Sequence, residues 1–164
     1  MSNSEKNLAA AFAGESQANR KYLAFAKQAD AEGHTQAAKL FRAAAEAETI
    51  HAHTHLKTLG GIKSTAENLK AAVAGETYEF ESMYPDFIKE AKEENNTAAL
   101  RTFNLANEAE KIHAELYKKA LANLGNGETY DYYLCTVCGH IAEKDAPDKC
   151  PICGAKTQAY KNIG

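Results

Sequence analysis

No run of 18 apolar residues occurs in the 164-residue chain, so no transmembrane helix is expected. Positive charge is not in excess either, because 19 basic residues stand against 22 acidic ones, for a net charge of −3. This balance argues against a nucleic-acid-binding protein. The N-terminus has no basic segment followed by an apolar one, so we expect no signal peptide and a cytoplasmic location.

Tryptophan is absent, and proline and cysteine are few and confined to one part of the chain. All three prolines lie at position 85 or beyond, and all four cysteines lie between 135 and 153. Residues 1–125 are rich in Ala, Glu, Lys and Leu, and their apolar residues recur with a period of 3.6, which predicts helices. The helices are expected at about 3–32, 35–59, 64–94 and 97–124.

Local signals set these helix ends. Ser2 with Glu5, and Ser64 with Glu67, form the pattern of a capping box, which starts a helix. Pro85 falls inside the third helix and should kink it. Four helices with short connections predict a four-helix bundle.

Each of the four helices places a glutamate in the middle of its apolar seam, where a core residue is expected. These residues are Glu15, Glu48, Glu76 and Glu110. A buried, unpaired carboxylate costs several kcal/mol, roughly, so four at one level need a compensating cation. A dinuclear metal centre meets this requirement.

The spacing of the histidines supports a metal centre. Glu48-x-x-His51 and Glu110-x-x-His113 each put a carboxylate and an imidazole on one helix face, one turn apart. One glutamate from each of two helices and Glu-x-x-His from each of the other two is the ligand set of di-iron bundles. Glu79, three residues after Glu76, is a fifth carboxylate. Five negative charges leave a net −1 with two ferrous ions, or with two ferric ions and an oxo bridge, which suits redox cycling.

The cysteines form two Cys-x-x-Cys-Gly knuckles, at Cys135/Cys138 and Cys150/Cys153. In a cytosolic protein this spacing predicts a tetrahedral tetrathiolate metal site. Zinc and iron both use it, and the spacing alone favours zinc. A neighbouring redox-active di-iron bundle favours iron, with zinc as a possible substitute. We therefore predict three regions, namely a bundle at 1–125, a linker at 126–133 and a small β-rich four-cysteine domain at 134–164.

Five motifs in this order resemble the rubrerythrin family over nearly the whole chain: AFAGESQA, EAETIH, AGETYEFESMYP, EAEKIHAEL and CTVCG…CPICG. The resemblance implies a mainly α protein, with a ferritin-like four-helix bundle followed by a rubredoxin-like domain. It also implies a non-haem di-iron peroxidase that reduces hydrogen peroxide to water in oxidative-stress defence. Electrons would come ultimately from NAD(P)H through a separate reductase or rubredoxin, and the tetrathiolate iron would relay them.

The resemblance also assigns roles. Glu48 and Glu110 would bridge the irons, which are oxo-bridged when oxidised. Glu15 would bind the first iron, and Glu76 with His113 the second. The first iron would shift between Glu79 when oxidised and His51 when reduced, which makes these two side chains the catalytic pair. Tyr22 and Tyr84 would form hydrogen bonds near the site without binding metal. The implied metal ligands are Glu15, Glu48, His51, Glu76, Glu79, Glu110 and His113 for the di-iron centre and Cys135, Cys138, Cys150 and Cys153 for one further iron.

The connection between helices 2 and 3 poses a geometric problem for one chain. In ferritin-like bundles these helices run parallel, so the chain would have to span about 33 Å between residues 59 and 65, and it reaches about 22 Å. Either residues 65–74 form an extended crossover, or two chains exchange helix pairs in a domain-swapped homodimer, which we favour. A homodimer is expected in both cases.

Two other functions fit parts of the pattern. A ferritin-like ferroxidase or iron-handling protein explains the bundle ligands but not the fused four-cysteine domain. A non-catalytic zinc-ribbon adaptor explains the cysteines but not the surplus glutamate or the paired Glu-x-x-His motifs.

Overall fold

A computed structural model describes all 164 residues, which divide into two compact units, 1–63 and 64–164. This division reflects which helices and strands contact one another. It does not test the predicted domain boundaries at 125 and 134, which stay a prediction. Each unit is described by itself.

The first unit is a helical hairpin of α1 (Asn3–Ala31) and α2 (Thr35–Thr58). The Ser2 capping box is present at the start of α1, and Gly33 makes the turn with φ +81°. The helices are antiparallel, because Tyr22 packs on Phe41 while the earlier Glu15 lies by the later Glu48. Their seam is made of small side chains, all nearly inaccessible to solvent: Ala26, Ala29, Ala38, Ala45 and Ala52.

The second unit begins with a long helical stretch that packs on α5 (Thr97–Ala122). The stretch consists of α3 (Thr65–Tyr78), a π-helical turn (Glu79–Met83) and α4 (Tyr84–Glu93). In the π turn the Tyr84 N–H donates to the Glu79 carbonyl, five residues back. The predicted helix limits are confirmed within two residues, but the regular ladder is interrupted just before Pro85 by a π turn that we did not predict.

The remainder of the second unit is a three-stranded antiparallel sheet of β1 (Tyr132–Cys135), β2 (Ile141–Glu143) and β3 (Tyr160–Ile163), in the order β2-β1-β3. A short 3₁₀ turn (Thr157–Ala159) precedes β3. Lys119 at the end of α5 donates to Glu143 of β2 at 2.6 Å, which ties the sheet to the helix.

The mainly α fold with a small C-terminal sheet is confirmed. The alternative of an extended crossover over residues 65–74 is wrong, because α3 starts at Thr65 behind its own capping box at Ser64. None of the helices combines the length and apolar character that crossing a bilayer requires.

Candidate metal centres

The first unit brings together three of the predicted ligands, Glu15 of α1 and Glu48 and His51 of α2. One ligand atom from each lies within 4.8 Å of the others. His51 Nδ1 lies 2.8 Å from a Glu48 carboxylate oxygen, as the Glu-x-x-His spacing predicts. The Glu48 side chain is 18% exposed and that of His51 is 55% exposed, so this cluster opens to one side.

The second unit holds a matching cluster of Glu76 from α3 and Glu110 and His113 from α5, again with ligand atoms within 4.8 Å of one another. His113 Nδ1 lies 2.6 Å from Glu110, and both side chains are more than four-fifths buried. Each cluster is thus drawn from a single unit. Together they contain six of the seven predicted di-iron ligands.

Negative charge accumulates at the second cluster. Burial, followed by the hydrogen bond and the charge of Glu110, raises the pKa of Glu76 from 4.5 to about 7. Without metal, the Glu76 carboxyl is therefore partly protonated near neutral pH and shares a hydrogen bond with Glu110. A cation would replace that proton, so this donor set fits a metal ion.

Glu79, the seventh predicted ligand, lies outside both three-residue clusters but close to the second one. Burial and then the charge of Glu110 raise the pKa of its carboxyl. Glu79 is the first residue of the π turn. Because π turns commonly mark an inserted residue at a functional site, the turn offers a reason for the surplus carboxylate.

The α1–α2 hairpin and the α3–α5 hairpin, in which α3, the π turn and α4 pack on α5, are internal repeats, a signal that was missing from our sequence predictions. Ala-Gly-Glu supplies the first ligand of each cluster, Glu15 or Glu76. Glu-Ala-Glu-x-Ile-His supplies the other two ligands and ends at His51 or His113. The step from Glu15 to Glu48 is 33 residues, and that from Glu76 to Glu110 is 34. The extra residue falls between Glu76 and Tyr84, the interval that holds the π turn.

The two predicted site tyrosines occupy equivalent places in these repeats. Tyr22 packs against Phe25 and Phe41 with ring centroids 6.3 and 6.2 Å away. Tyr84 packs against Phe87 and Phe103 at 6.2 and 6.3 Å. Burial, and then the charges of Glu110, Glu79 and Glu76, raise the pKa of Tyr84, so its hydroxyl stays protonated beside the carboxylates. Tyr22 has ring contacts only, and its hydrogen bond near the metal site stays a prediction.

The four cysteines converge as predicted, as free thiols whose Sγ atoms all lie within 4.8 Å of one another. The distances are 3.7 Å from Cys135 to Cys153 and 3.4 Å from Cys138 to Cys150. A tetrahedral site with metal–sulfur bonds of about 2.3 Å has sulfur–sulfur edges of about 3.8 Å, so the cluster fits a tetrathiolate ion. Gly139 and Gly154 close the knuckles with φ of +83° and +74°, which explains the glycine after each Cys-x-x-Cys.

Backbone N–H groups point at these sulfurs. Burial raises the pKa of the Cys150 thiol, but donors that include the N–H of Cys153 and of Ile152 more than offset this and lower it to about 6. Burial raises the pKa of Cys138 next to it, and the hydrogen bond with Cys150 adds to the increase. The metal-free cluster therefore favours one thiolate over several, and a cation would stabilise all four.

One hydrogen bond joins the second carboxylate cluster to the cysteine knuckle within the same unit. His113 Nε2–H donates to the carbonyl oxygen of Gly139, at 2.8 Å, and Gly139 directly follows Cys138. This bond fixes the ring so that Nδ1 is the atom facing the carboxylates. The neighbouring His140 is buried, and burial, followed by the charge of His113, lowers the pKa of its imidazole.

Helical hairpins that carry Glu and Glu-x-x-His clusters, followed by a tetrathiolate knuckle, define the class of di-iron carboxylate proteins with a rubredoxin-like domain. Comparison with known families agrees: the Rubrerythrin model matches residues 6–121, and the model for the rubredoxin-like domain of rubrerythrin matches residues 133–161. The chain belongs to the rubrerythrin family.

Similar proteins include nigerythrin from Nitratidesulfovibrio vulgaris, 38% identical over 162 residues that cover 90% of this chain and 80% of the relative. Rubrerythrin from Porphyromonas gingivalis is 38% identical over 178 residues, covering 97% and 88%. Among solved structures, the fully reduced, all-ferrous state of nigerythrin matches with a TM-score of 0.61 and 35% identity, covering 99% of this chain and 88% of that one.

Proposed function

We propose that the protein is a peroxidase that reduces hydrogen peroxide to water. The observation that carries this proposal is the His113–Gly139 hydrogen bond, which connects a carboxylate–histidine cluster to a tetrathiolate knuckle at 2.8 Å. A storage protein needs only the carboxylate–histidine cluster, and a zinc ribbon needs only the four cysteines. Their direct connection favours a function that moves electrons between them.

When bound, iron supplies the redox chemistry at both sites, two electrons at the paired site for cleavage of the O–O bond and single electrons at the tetrathiolate site. In our proposal Glu48 and Glu110 would bridge the metal pair, with Glu15 on one side and Glu76 and His113 on the other. Glu79 and His51 would alternate as ligands. Their placement supports this, because Glu79 lies at the π turn and the His51 side chain is more than half exposed.

The chain also has groups suited to handling the two protons that convert one peroxide into two waters. The raised pKa of Glu79, caused by burial and then by Glu110, makes its carboxyl bind a proton more readily than an ordinary glutamate does. The Tyr84 hydroxyl, whose pKa is raised by burial and by the same carboxylates, would donate a hydrogen bond without losing its proton. The packed rings of Phe87 and Phe103 beside Tyr84 would limit the access of water.

Electrons would arrive ultimately from NAD(P)H through a separate reductase or rubredoxin and enter at the four-cysteine domain. The path from there would run through the Gly139 carbonyl to His113, both in one chain. We place this relay domain at 134–164, after a bundle at 1–125 and a linker at 126–133. Four free cysteines gathered for a metal suit the reducing cytoplasm, and a cytoplasmic location stays a prediction.

We further propose a homodimer in which each di-iron centre combines the α1–α2 hairpin of one copy with the α3–α5 hairpin of a second copy. Each hairpin supplies one three-ligand cluster. The α1–α2 hairpin also leaves large apolar side chains exposed, Phe25 at 46%, Leu40 at 68% and Ile50 at 67%. A two-helix hairpin with an apolar face needs another element to cover it.

The connection between α2 and α3 supports the exchange. Glu48 lies ten residues before the end of α2 and Glu76 eleven after the start of α3, or about 15 and 16 Å at 1.5 Å per residue. If the two helices run parallel, as in ferritin-like bundles, seven residue steps from Thr58 to Thr65 would have to span about 32 Å. An extended chain covers about 25 Å in that number of steps.

Steady-state assays would test the peroxidase function. Iron-loaded protein with an electron-donating reductase should consume peroxide catalytically, and Glu110→Gln should abolish turnover. Glu108→Gln, two residues earlier on the exposed face of the same helix, is the matched control and should retain it. If Glu110→Gln turns over peroxide like Glu108→Gln, the proposal fails. Iron uptake driven by dioxygen without peroxide turnover would favour the ferroxidase alternative, and a protein that binds zinc only would favour the adaptor.

A further inference from the structure

A polar pair that the proposed function does not use, the half-buried Tyr160 and the buried His140, lies beside the tetrathiolate cluster. Tyr160 of β3 is the cross-strand partner of Cys135 in β1, so the two side chains lie on the same face of the sheet. The Tyr160 hydroxyl oxygen lies 2.8 Å from His140 Nδ1, and the rings meet edge to face at 5.9 Å and 85°. His140 is 7% exposed, so the imidazole side of this hydrogen bond is shielded from water.

The same hydroxyl also lies next to Cys150, a buried ligand of the cluster: burial raises the pKa of the Tyr160 phenol, and the neighbouring Cys150 thiol raises it further. A phenol has one hydrogen and donates once, while its oxygen can also accept. Both contacts are satisfied when His140 Nδ1–H donates to the Tyr160 oxygen and the Tyr160 O–H donates to the Cys150 sulfur. The backbone N–H donors arise from the knuckle fold, whereas this donor depends on two particular side chains.

We propose that Tyr160 and His140 are positioning residues that raise the reduction potential of iron held by the four cysteines. The reduced site carries one more negative charge than the oxidised site, so a donor to a ligand sulfur stabilises the reduced form more. His140 acts through Tyr160, because its N–H orients and polarises the hydroxyl. This inference rests on the part of the proposed function that places iron in the tetrathiolate site.

The test is a redox titration of the red tetrathiolate iron, followed by its visible absorbance, in the full-length protein. Tyr160→Phe removes the hydroxyl and keeps the ring. We expect it to favour the oxidised form about tenfold, which lowers the potential by about 59 mV for a one-electron couple. The visible spectrum should keep its shape. Tyr133→Phe makes the same chemical change in β1, where the hydroxyl has no hydrogen bond to a cysteine, and should leave the potential unchanged.

His140→Phe tests the second link and should lower the potential by a smaller amount. Added to Tyr160→Phe it should cause no further shift, since the imidazole acts through the hydroxyl. The inference would be overturned if Tyr160→Phe and His140→Phe had the same potential as the wild type. Failure of both variants to bind iron would also overturn it, because that would show a structural role. A wild-type protein that binds no iron at the cysteines would instead contradict the proposed function.

Discussion

Exchange of helical hairpins between two copies can be tested by complementation of inactive subunits. Glu48→Gln should inactivate the cluster of the α1–α2 hairpin, and Glu110→Gln that of the α3–α5 hairpin, each with little change in side-chain shape. If the centres form between copies, a heterodimer of the two variants has one centre with both defects and one intact centre. It should therefore show about half of the wild-type peroxidase activity, although each homodimer is inactive.

The heterodimers would be co-expressed with two different tags, purified through both, and assayed per mole of dimer, with iron content measured on the same samples. A second heterodimer, of the wild-type chain with a chain that carries both substitutions, reverses the expectation. Exchanged hairpins then give one defect in each centre and no activity, whereas centres formed within one chain give about half. Glu46→Gln and Glu108→Gln, on exposed positions of the same two helices, are the matched controls. Activity in the second heterodimer and none in the first would refute the exchange.

Three further predictions concern single sites. His51→Ala should slow peroxide turnover more than it lowers iron content, because other ligands retain the metal. His53 is exposed, and His53→Ala should change neither. Equal losses of iron and turnover in His51→Ala would contradict the ligand-exchange role. In the metal-free protein, the pKa of Glu76 is raised by burial and by Glu110 from 4.5 to about 7, so the folded state binds this proton more tightly than the unfolded chain. The stabilising effect of this proton is therefore lost as pH rises from about 4.5 through 7. Differential scanning fluorimetry should show that the Tm falls over that range and that Glu76→Gln flattens the dependence of Tm on pH. Cys138→Ala should abolish the red chromophore and expose residues 134–164 to limited proteolysis, since metal binding stabilises this small domain, whereas the exposed Val137→Ala should do neither.

The helices and the carboxylate clusters followed from local sequence patterns. The capping boxes at Ser2 and Ser64 set helix starts, and Glu-x-x-His places its two ligands together in any regular helix. Cys-x-x-Cys-Gly likewise encodes its own turn through the positive φ of Gly139. These features depend on neighbours a few residues apart, which is why the sequence alone specifies them.

Other features depend on contacts between distant segments. The π turn at Glu79 is visible in the sequence only when the two hairpins are aligned and one extra residue is counted in the second. Asn19, a buried side chain that donates to the Ala45 carbonyl at 2.7 Å and to Thr49 at 2.8 Å, has no local signature. The Tyr160–His140 contact follows from strand register and knuckle geometry, 20 residues apart in the chain. A single sequence gives no direct measure of such pairings.

The most direct test of the peroxidase function is rapid mixing of the fully reduced, iron-loaded protein with hydrogen peroxide or with dioxygen at equal concentration. Reoxidation would be followed by the return of the red absorbance, with iron and zinc content measured on the same sample. We predict that peroxide reoxidises the protein faster than dioxygen and that one peroxide accepts two electrons. Reoxidation by dioxygen at an equal or greater rate would contradict the proposal.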